Sequence, residues 1–221
     1  MLDRLSDPIG RLMGLRYKSH PWHGVYIGKK APEELIAFIE VVSTDTVKYE
    51  IDKDSGYLMI DRPQKYSNVV PALYGFIPQT FCGNRVGEFC SKKTGKPGIV
   101  GDGDPIDICV LTEKAIAHGD LLVNAIPIGG FRMIDGKEAD DKIIAVLRND
   151  TVYGHFRDIS EVPQIVIQRL EHYFLTYKDM PGEEKDTEIA GSYGAKEAHE
   201  VIKLSVEDYN EKFDNLGKLL S

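Results

Sequence analysis

Short stretches in which apolar and polar residues alternate fill much of the chain and predict β-strands. Residues 46–52 place apolar side chains on one face and polar side chains on the other, the period-two pattern of a half-buried strand. Residues 35–42 are almost continuously apolar, and residues 57–62 follow a hairpin turn signal at 54–56. Later strands are predicted at 106–111, 121–128, 130–134 and 142–146.

The periodicity changes to that of helices toward the end of the chain. Residues 163–174 carry apolar side chains at helical spacing and begin with Pro163, a residue favoured in the first helical turn. Two further helices are predicted at 195–204 and 206–219, the second with Ser205 as its N-cap. Strands first and helices last predict a mainly β, α+β fold: a small closed or partly closed β-barrel with C-terminal helices packed outside.

Three segments interrupt the regular pattern. Residues 1–30 are expected to form an N-terminal arm or a packed lead-in to the fold. Residues 81–100 are polar and rich in Gly and Lys, and are expected to be a loop insertion; residues 179–193 are expected to be a mobile loop. Because the sequence contains no repeats, residues 1–221 are expected to form a single domain with C-terminal helices over 195–220.

Composition and charge limit the classes of partner. The 221 residues carry a net charge of −8, so nucleic acid is not an expected partner. No apolar run is long enough to span a bilayer, and the N-terminus lacks the apolar stretch of a signal peptide, so no membrane association is expected. Three cysteines without a C-x-x-C pair are typical of a reducing compartment, and the expected location is cytoplasmic.

Three aspartates within six residues, Asp102, Asp104 and Asp107, form the most informative segment of the chain. Carboxylates this close repel one another, and a fold keeps them together where a cation lies between them. Pro105 favours an extended Asp104, so Asp102 and Asp104 are expected on one side, while Asp107 lies inside the predicted strand 106–111 and points away from its core face. Mg²⁺ binds a few carboxylates together with substrate phosphates, so the segment predicts a metal site for phosphate chemistry.

Two other interpretations fit this segment less well. A polar turn explains Asp102 and Gly103, but it does not explain an aspartate inside a strand pattern. A calcium loop of EF-hand type would place Ile106 at a ligand position and Asp107 where glycine is required. A second acidic cluster at residues 135–142 could supply the further ligands of a site with several metals.

The run Asp102-Gly103-Asp104-Pro105-Ile106-Asp107-Ile108 resembles the signature of the soluble family I inorganic pyrophosphatases. The resemblance covers nearly the whole chain from Gly28 onward. The other matching segments, in chain order, are Lys48-Tyr49-Glu50-Ile51-Asp52-Lys53, Asp61-Arg62, Tyr74-Gly75-Phe76-Ile77-Pro78-Gln79-Thr80, Asp135, Asp140, Lys142 and Tyr177-Lys178.

The resemblance implies a five-stranded OB-like barrel that hydrolyses pyrophosphate to two phosphates with several Mg²⁺ ions. Asp104 is implied as the general base on the attacking water. The implied metal ligands are Asp102, Asp107 and Asp140 for two activating metals, bridged by Asp107, and Asp135 for metals that arrive with substrate. The implied phosphate-binding residues are Lys48, Arg62, Tyr74, Lys142, Tyr177 and Lys178, and Glu40 and Glu50 complete an acidic lining. Mn²⁺ and Zn²⁺ are candidate substitutes for Mg²⁺, whereas Ca²⁺ is expected to inhibit because its looser coordination positions water poorly.

Two positions depart from the family pattern. Val70 stands where a tyrosine is usual, and Gly136 stands where an acidic residue often follows Asp135. The missing carboxylate is expected to weaken one substrate-associated metal. The insertion at 81–100 resembles the longer, eukaryotic-type branch, and because the branches differ between dimer and hexamer, a homo-oligomer of unspecified size is expected.

Two other functions compete with pyrophosphate hydrolysis. A phosphohydrolase acting on nucleotides or other phosphate esters would use the same metal chemistry, and a substrate panel would separate the two. A nucleic-acid-binding barrel without catalysis is disfavoured by the acidic charge and the sparse interleaving of basic and aromatic residues.

Overall fold

A computed structural model of the protein describes residues 18–65, 67–177 and 186–213. The strands are β1 Leu35–Val41, β2 Val47–Ile51, β3 Leu58–Pro63, β4 Leu73–Phe76, β5 Val100–Gly101, β6 Asp107–Leu111, β7 Leu121–Asp135, β8 Glu138–Ala139, β9 Lys142–Leu147 and β10 Thr187–Gly194. The helices are α1 Asn84–Thr94, α2 Gln164–Thr176 and α3 Ala195–Phe213, with a short 3₁₀ turn at Ile159–Glu161.

Five of the strands close into a ring. Its order is β1, β4, β6, β9 and β7, and β7 pairs again with β1. β6 and β9 run parallel, and the other neighbours in the ring run antiparallel. The prediction of a mainly β, α+β fold built on a closed sheet of five strands is confirmed.

The long strand β7 corrects the prediction of two separate strands at 121–128 and 130–134. Gly129 and Gly130 lie inside it. A Cβ on Gly129 would come within 2.5 Å of the Tyr193 backbone oxygen, and one on Gly130 within 2.5 Å of the Tyr193 hydroxyl. These glycines permit the close approach of β10 and do not mark a turn.

The predicted hairpin over residues 46–62 forms, but it lies outside the ring. β2 and β3 make a separate antiparallel pair in which Lys48 lies opposite Arg62. The ring contains β4 instead, a strand of four residues that the sequence pattern does not predict. Its Gly75 is required there, because a Cβ would lie 1.9 Å from the carbonyl oxygen of Phe38 on β1.

Residues 81–100 contain helix α1, so the expectation of a loop insertion is wrong. Gly83 precedes the helix and offers no side chain to cap it. The cap comes instead from α3, where the Asp208 carboxylate accepts hydrogen bonds from the backbone N–H groups of Gly83, Arg85 and Val86 at 3.1–3.2 Å. A helix capped by a residue so distant in sequence carries no local start signal.

One helix, α3, replaces the two predicted at 195–204 and 206–219 as far as the structure describes this end. Ser205 is buried within it, and its hydroxyl donates to the Ile202 carbonyl oxygen at 2.8 Å instead of capping a new helix.

Strand β10 occupies part of the predicted mobile loop at 179–193, whose residues up to 185 lie outside the described part of the chain. The N-terminal arm is described from residue 18, where buried Trp22 donates its indole N–H to the Thr80 oxygen at 2.8 Å.

The apolar core lies in two main clusters that hold the helices against the ring. Ile39, Ile108 and Ile143 belong to the cluster that also contains side chains of α1 and α3. Phe131 and Ile144 belong to the second cluster, with side chains of α2. Among the described residues, the helices include none of the length and hydropathy needed to cross a membrane.

Candidate active site

A cavity of about 260 Å³ brings the predicted site residues together. Its lining contains acidic, basic and phenolic side chains: Glu40, Lys48, Glu50, Arg62, Tyr74, Asp102, Asp104, Asp107, Asp135, Glu138, Asp140, Lys142 and Tyr177. Every residue proposed for the site from sequence is in this set except Lys178, which lies outside the described residues.

The centre of the cavity is built on the first residues of two parallel strands. Asp107 begins β6 and Lys142 begins β9, and the two are partners in the strand register. The Lys142 ammonium donates to the carboxylates of both Asp107 and Asp140. From β4, the Tyr74 hydroxyl donates to Asp107 Oδ2 at 2.6 Å.

The buried cation and phenol at this centre have shifted proton affinities. Burial alone would lower the pKa of Lys142, but the carboxylates of Asp107 and Asp140 outweigh it and raise that pKa well above its ordinary value. Burial, reinforced by the Asp107 charge, raises the pKa of Tyr74. At neutral pH, Lys142 is therefore a cation and Tyr74 a neutral hydrogen-bond donor.

The segment with Asp102 and Asp104 is a turn, which corrects the expectation of an extended stretch. Gly103 has φ of 81°, and the Asp104 backbone N–H donates to Asp102 Oδ1 at 2.9 Å. Gly101 approaches the backbone so closely that a Cβ would lie 2.1 Å from the Cys82 oxygen. Both carboxylates still line the cavity.

The β2–β3 hairpin contributes the two other cations of the cavity lining, Lys48 and Arg62. Lys48 forms ion pairs with Glu50 and, at 3.3 Å, with Asp61. Arg62 also pairs with Asp61. The side chains of Lys48 and Arg62 are 18% and 36% exposed, so a phosphate could exchange with their present carboxylate partners.

Glu40 is the most deeply buried acid of the cavity. Burial raises the pKa of Glu40 to about 8. A hydrogen bond from the Ile51 backbone N–H lowers this pKa, whereas the charges of Asp107 and Glu50 raise it further. The pKa of Asp102 is raised to about 7, first by burial and further by Asp140 and Asp107. Burial is the larger cause of both shifts, and neighbouring carboxylates add to it.

The donor set fits hard divalent cations. The lining contains eight carboxylates against three cationic side chains, and carboxylate oxygens are the ligands that Mg²⁺ prefers. Within residues 18–65, 67–177 and 186–213, no three His, Cys, Asp or Glu side chains are arranged closely enough to hold an ion. The carboxylates of Asp107 and Asp140 instead share the Lys142 ammonium, and these two carboxylates, with Asp102, are the groups that would hold a metal here.

Comparison with known proteins gives the family. A model described as inorganic pyrophosphatase matches residues 37–210. The inorganic pyrophosphatase of Chlamydia trachomatis serovar L2 is 50% identical over 200 residues, which cover 88% of this chain and 96% of the relative. The chain belongs to the inorganic pyrophosphatase family.

Solved structures of inorganic pyrophosphatases agree with this assignment. The crystal structure of the Thermus thermophilus inorganic pyrophosphatase is 30% identical with a TM-score of 0.72, and the match covers 87% of this chain and 99% of that one. A type I inorganic pyrophosphatase from Toxoplasma gondii, at 21% identity, shares the fold with a TM-score of 0.74 over 89% of each chain. The resemblance inferred from sequence is confirmed as family membership.

Sequence reasoning included Glu138 in the acidic cluster at 135–142 but gave it no individual role in this pyrophosphatase site. Gly136, with φ of 61°, and Lys137 form a tight turn that pairs Asp135 on β7 with Glu138 on β8. Paired residues of an antiparallel ladder project from the same face, and both carboxylates line the cavity. The two-residue turn signal at Gly136-Lys137 could have identified Glu138, because it fixes this register.

Lys53 is a second residue that the sequence did not single out. Its ammonium donates to Asp104 Oδ1, and both side chains are about half exposed. Lys53 ends a segment that matches the family pattern, but it lies in the turn after β2, and nothing in the sequence indicated its contact with Asp104.

Proposed function

We propose that this chain hydrolyses inorganic pyrophosphate to two phosphates with Mg²⁺ as cofactor. The observation that carries the proposal is the excess of carboxylates in the cavity of a pyrophosphatase family member. Pyrophosphate is a polyanion, and eight carboxylates would repel it unless divalent cations entered with it. Bound Mg²⁺ would lower the pKa of a water molecule and neutralise the charge of the attacking and leaving oxygens.

The carboxylates divide into two groups in this proposal. Asp102, Asp107 and Asp140 would hold the activating metals, and Asp107 would lie between them. Hydrogen bonds from Tyr74 and Lys142 support this arrangement, because they fix the orientation of the Asp107 carboxylate. Asp135, with Glu138 opposite it, would hold cations that arrive with substrate.

The remaining side chains would bind substrate and move a proton. Lys48, Arg62, Tyr74, Lys142, Tyr177 and Lys178 would donate to phosphate oxygens. Asp104 would accept a proton from the water whose oxygen attacks one phosphorus atom. The bond from that phosphorus to the bridging oxygen would break, and the second phosphate would leave.

The size and polarity of the cavity favour pyrophosphate over the alternative substrates. A volume of about 260 Å³ lies below the usual range of ligand pockets, and its lining offers two tyrosines as its aromatic side chains. A nucleotide base would find little apolar surface there. Hydrolysis of nucleotides or other phosphate esters therefore remains the weaker proposal.

Several expectations stay predictions beside this proposal. Mn²⁺ or Zn²⁺ would support turnover in place of Mg²⁺, and Ca²⁺ would compete without supporting it. The chain would assemble as a homo-oligomer in the cytoplasm.

The Asp104→Asn variant tests the proposed base. We expect it to lower kcat for phosphate release by roughly 10²–10⁴-fold, the usual contribution of a general base. Asp54→Asn, which changes an exposed turn residue, serves as the control and should leave kcat within about twofold. A wild-type rate in Asp104→Asn would refute the role of Asp104.

A further inference from the structure

The start of β9 presents alternate side chains to two different environments. Asp140 and Lys142 line the active-site cavity, whereas Asp141 between them is directed away from it and is buried. Asp140 and Asp141 directly precede β9, which begins at Lys142, and the Asp140 backbone N–H donates to the Met133 carbonyl oxygen of β7 at 3.0 Å. Contacts that fix Asp141 therefore act on the same stretch of backbone that carries the two flanking active-site residues.

The Asp141 carboxylate accepts hydrogen bonds from two side chains. Its Oδ2 accepts a hydrogen bond from Arg132 Nε at 3.1 Å and another from the Tyr193 hydroxyl at 3.0 Å. Phe131 and Lys142 are the last pair of the β7–β9 ladder, and Arg132 and Asp141 are the residues next to them in the chain. The side chains of Arg132 and Asp141 are 5% and 2% exposed, which makes this the most deeply buried ion pair among the described residues.

Arg132 is itself fixed from three sides. The rings of Phe89 and Tyr193 each lie 5.0 Å from its Cζ, and Glu197 accepts from its Nη2 at 3.1 Å. These contacts come from α1, β10 and α3, elements that contribute none of the proposed catalytic groups. A guanidinium held in this way is a rigid support, since its planar fork has few alternative positions.

We propose that the buried Arg132–Asp141–Tyr193 cluster positions Asp140 and Lys142 for metal and substrate, so that these three residues are positioning residues of the active site. This inference rests on the proposed function. An ion pair buried this deeply is not needed for stability alone, because apolar residues of similar volume are often equally stabilising. Mutation of residues that hydrogen-bond to a metal ligand commonly lowers metal affinity by 10–100-fold. In this cluster, Arg132 and Tyr193 would act on Asp140 and Lys142 through the backbone of Asp141.

Tyr193→Phe is the sharpest variant, because it removes one hydrogen bond to Asp141 and keeps the ring against Arg132. Glu197→Gln is the matched control, because it weakens a contact of Arg132 that does not touch Asp141. Mn²⁺ binding to each folded, full-length protein can be measured from the electron paramagnetic resonance signal of the free ion, independently of turnover. Urea denaturation of the same samples would give the stability of each variant.

We expect Tyr193→Phe to weaken the tightest Mn²⁺ binding by about tenfold, and Glu197→Gln by less than twofold, even where both lose similar stability. The Mg²⁺ concentration for half-maximal phosphate release should rise in the same order. Equal Mn²⁺ affinity in wild type and Tyr193→Phe would overturn the inference. A loss of affinity in Glu197→Gln as large as in Tyr193→Phe would also overturn it, because the effect would then follow stability.

A failure of the proposed function would look different. Wild-type protein would then release no phosphate from pyrophosphate with Mg²⁺, whatever the variants did. Active wild-type protein with an unaffected Tyr193→Phe variant would contradict the positioning role alone.

Discussion

At the scale of single residues, the site depends on charges that the fold brings together from distant positions. Burial raises the pKa of Glu40 to about 8 and that of Asp102 to about 7, and the charge of Asp107 adds to both shifts. The types of these residues were predictable from sequence because the aspartate run is local. The degree of burial was not predictable, because it depends on the whole ring.

Glu138 gives a prediction at this scale. If it shares substrate-associated cations with Asp135, Glu138→Gln should raise the Mg²⁺ concentration for half-maximal phosphate release by up to about tenfold. Lys137→Gln, in the same turn and outside the cavity lining, should change it by less than twofold. Titrating Mg²⁺ at fixed pyrophosphate measures both, and equal curves for Glu138→Gln and wild type would exclude Glu138 from metal binding.

At the scale of elements, helix ends are stabilised by side chains from elsewhere in the chain. The α1 N-terminus depends on Asp208 of α3, which accepts from three backbone N–H groups and from the Arg85 guanidinium at 3.0 Å. This arrangement explains why a sequence that predicts α2 from its own periodicity fails for α1.

Asp208→Ala should therefore lower the free energy of unfolding by about 2 kcal/mol, since it removes a cap and leaves buried donors unsatisfied. Glu211→Ala is the control, because Glu211 is largely exposed and pairs with the Arg85 side chain without capping the helix. We expect its cost to be below about 1 kcal/mol. Urea denaturation compares the two, and equal costs would contradict the capping role.

Asp158 joins the 3₁₀ turn to the start of α3 and gives a pH-dependent prediction. Its carboxylate accepts from the backbone N–H of Ser160 at 3.1 Å and of Ala195 at 2.9 Å. Burial opposes ionisation, but these bonds together hold the pKa of Asp158 below its ordinary value. A lowered carboxyl pKa stabilises the fold above the unfolded pKa of about 4, and this contribution is lost as the pH falls through the folded pKa.

Asp158→Asn should accordingly be less stable than wild type at pH 7, by roughly 1 kcal/mol. The difference should shrink as the pH falls below about 4. Thermal denaturation between pH 3 and 7 measures this trend, with the exposed Glu200→Gln as control. A difference that stays constant across this range would show that the Asp158 charge contributes nothing.

At the scale of the whole molecule, the sequence predicted the class of fold and the composition of the site better than the order of the strands. Apolar patterning and turn signals identified β1, β2, β3, β6 and β9, but they could not show that β2 and β3 lie outside the ring and contribute to the cavity lining. β4 is too short to give a pattern, and the glycines of β7 indicated a turn because their contact with Tyr193 is tertiary. The missed elements all depend on contacts between residues far apart in sequence.

The central claim is that the acidic cavity accepts pyrophosphate together with Mg²⁺, and phosphate release by the purified chain tests it directly. We expect rapid release from pyrophosphate with Mg²⁺, loss of release when EDTA removes the metal, and release from ATP at least about 100-fold slower. That ratio corresponds to roughly 2.7 kcal/mol of discrimination in the transition state. No release from pyrophosphate with Mg²⁺, or equal rates on ATP, would contradict the account.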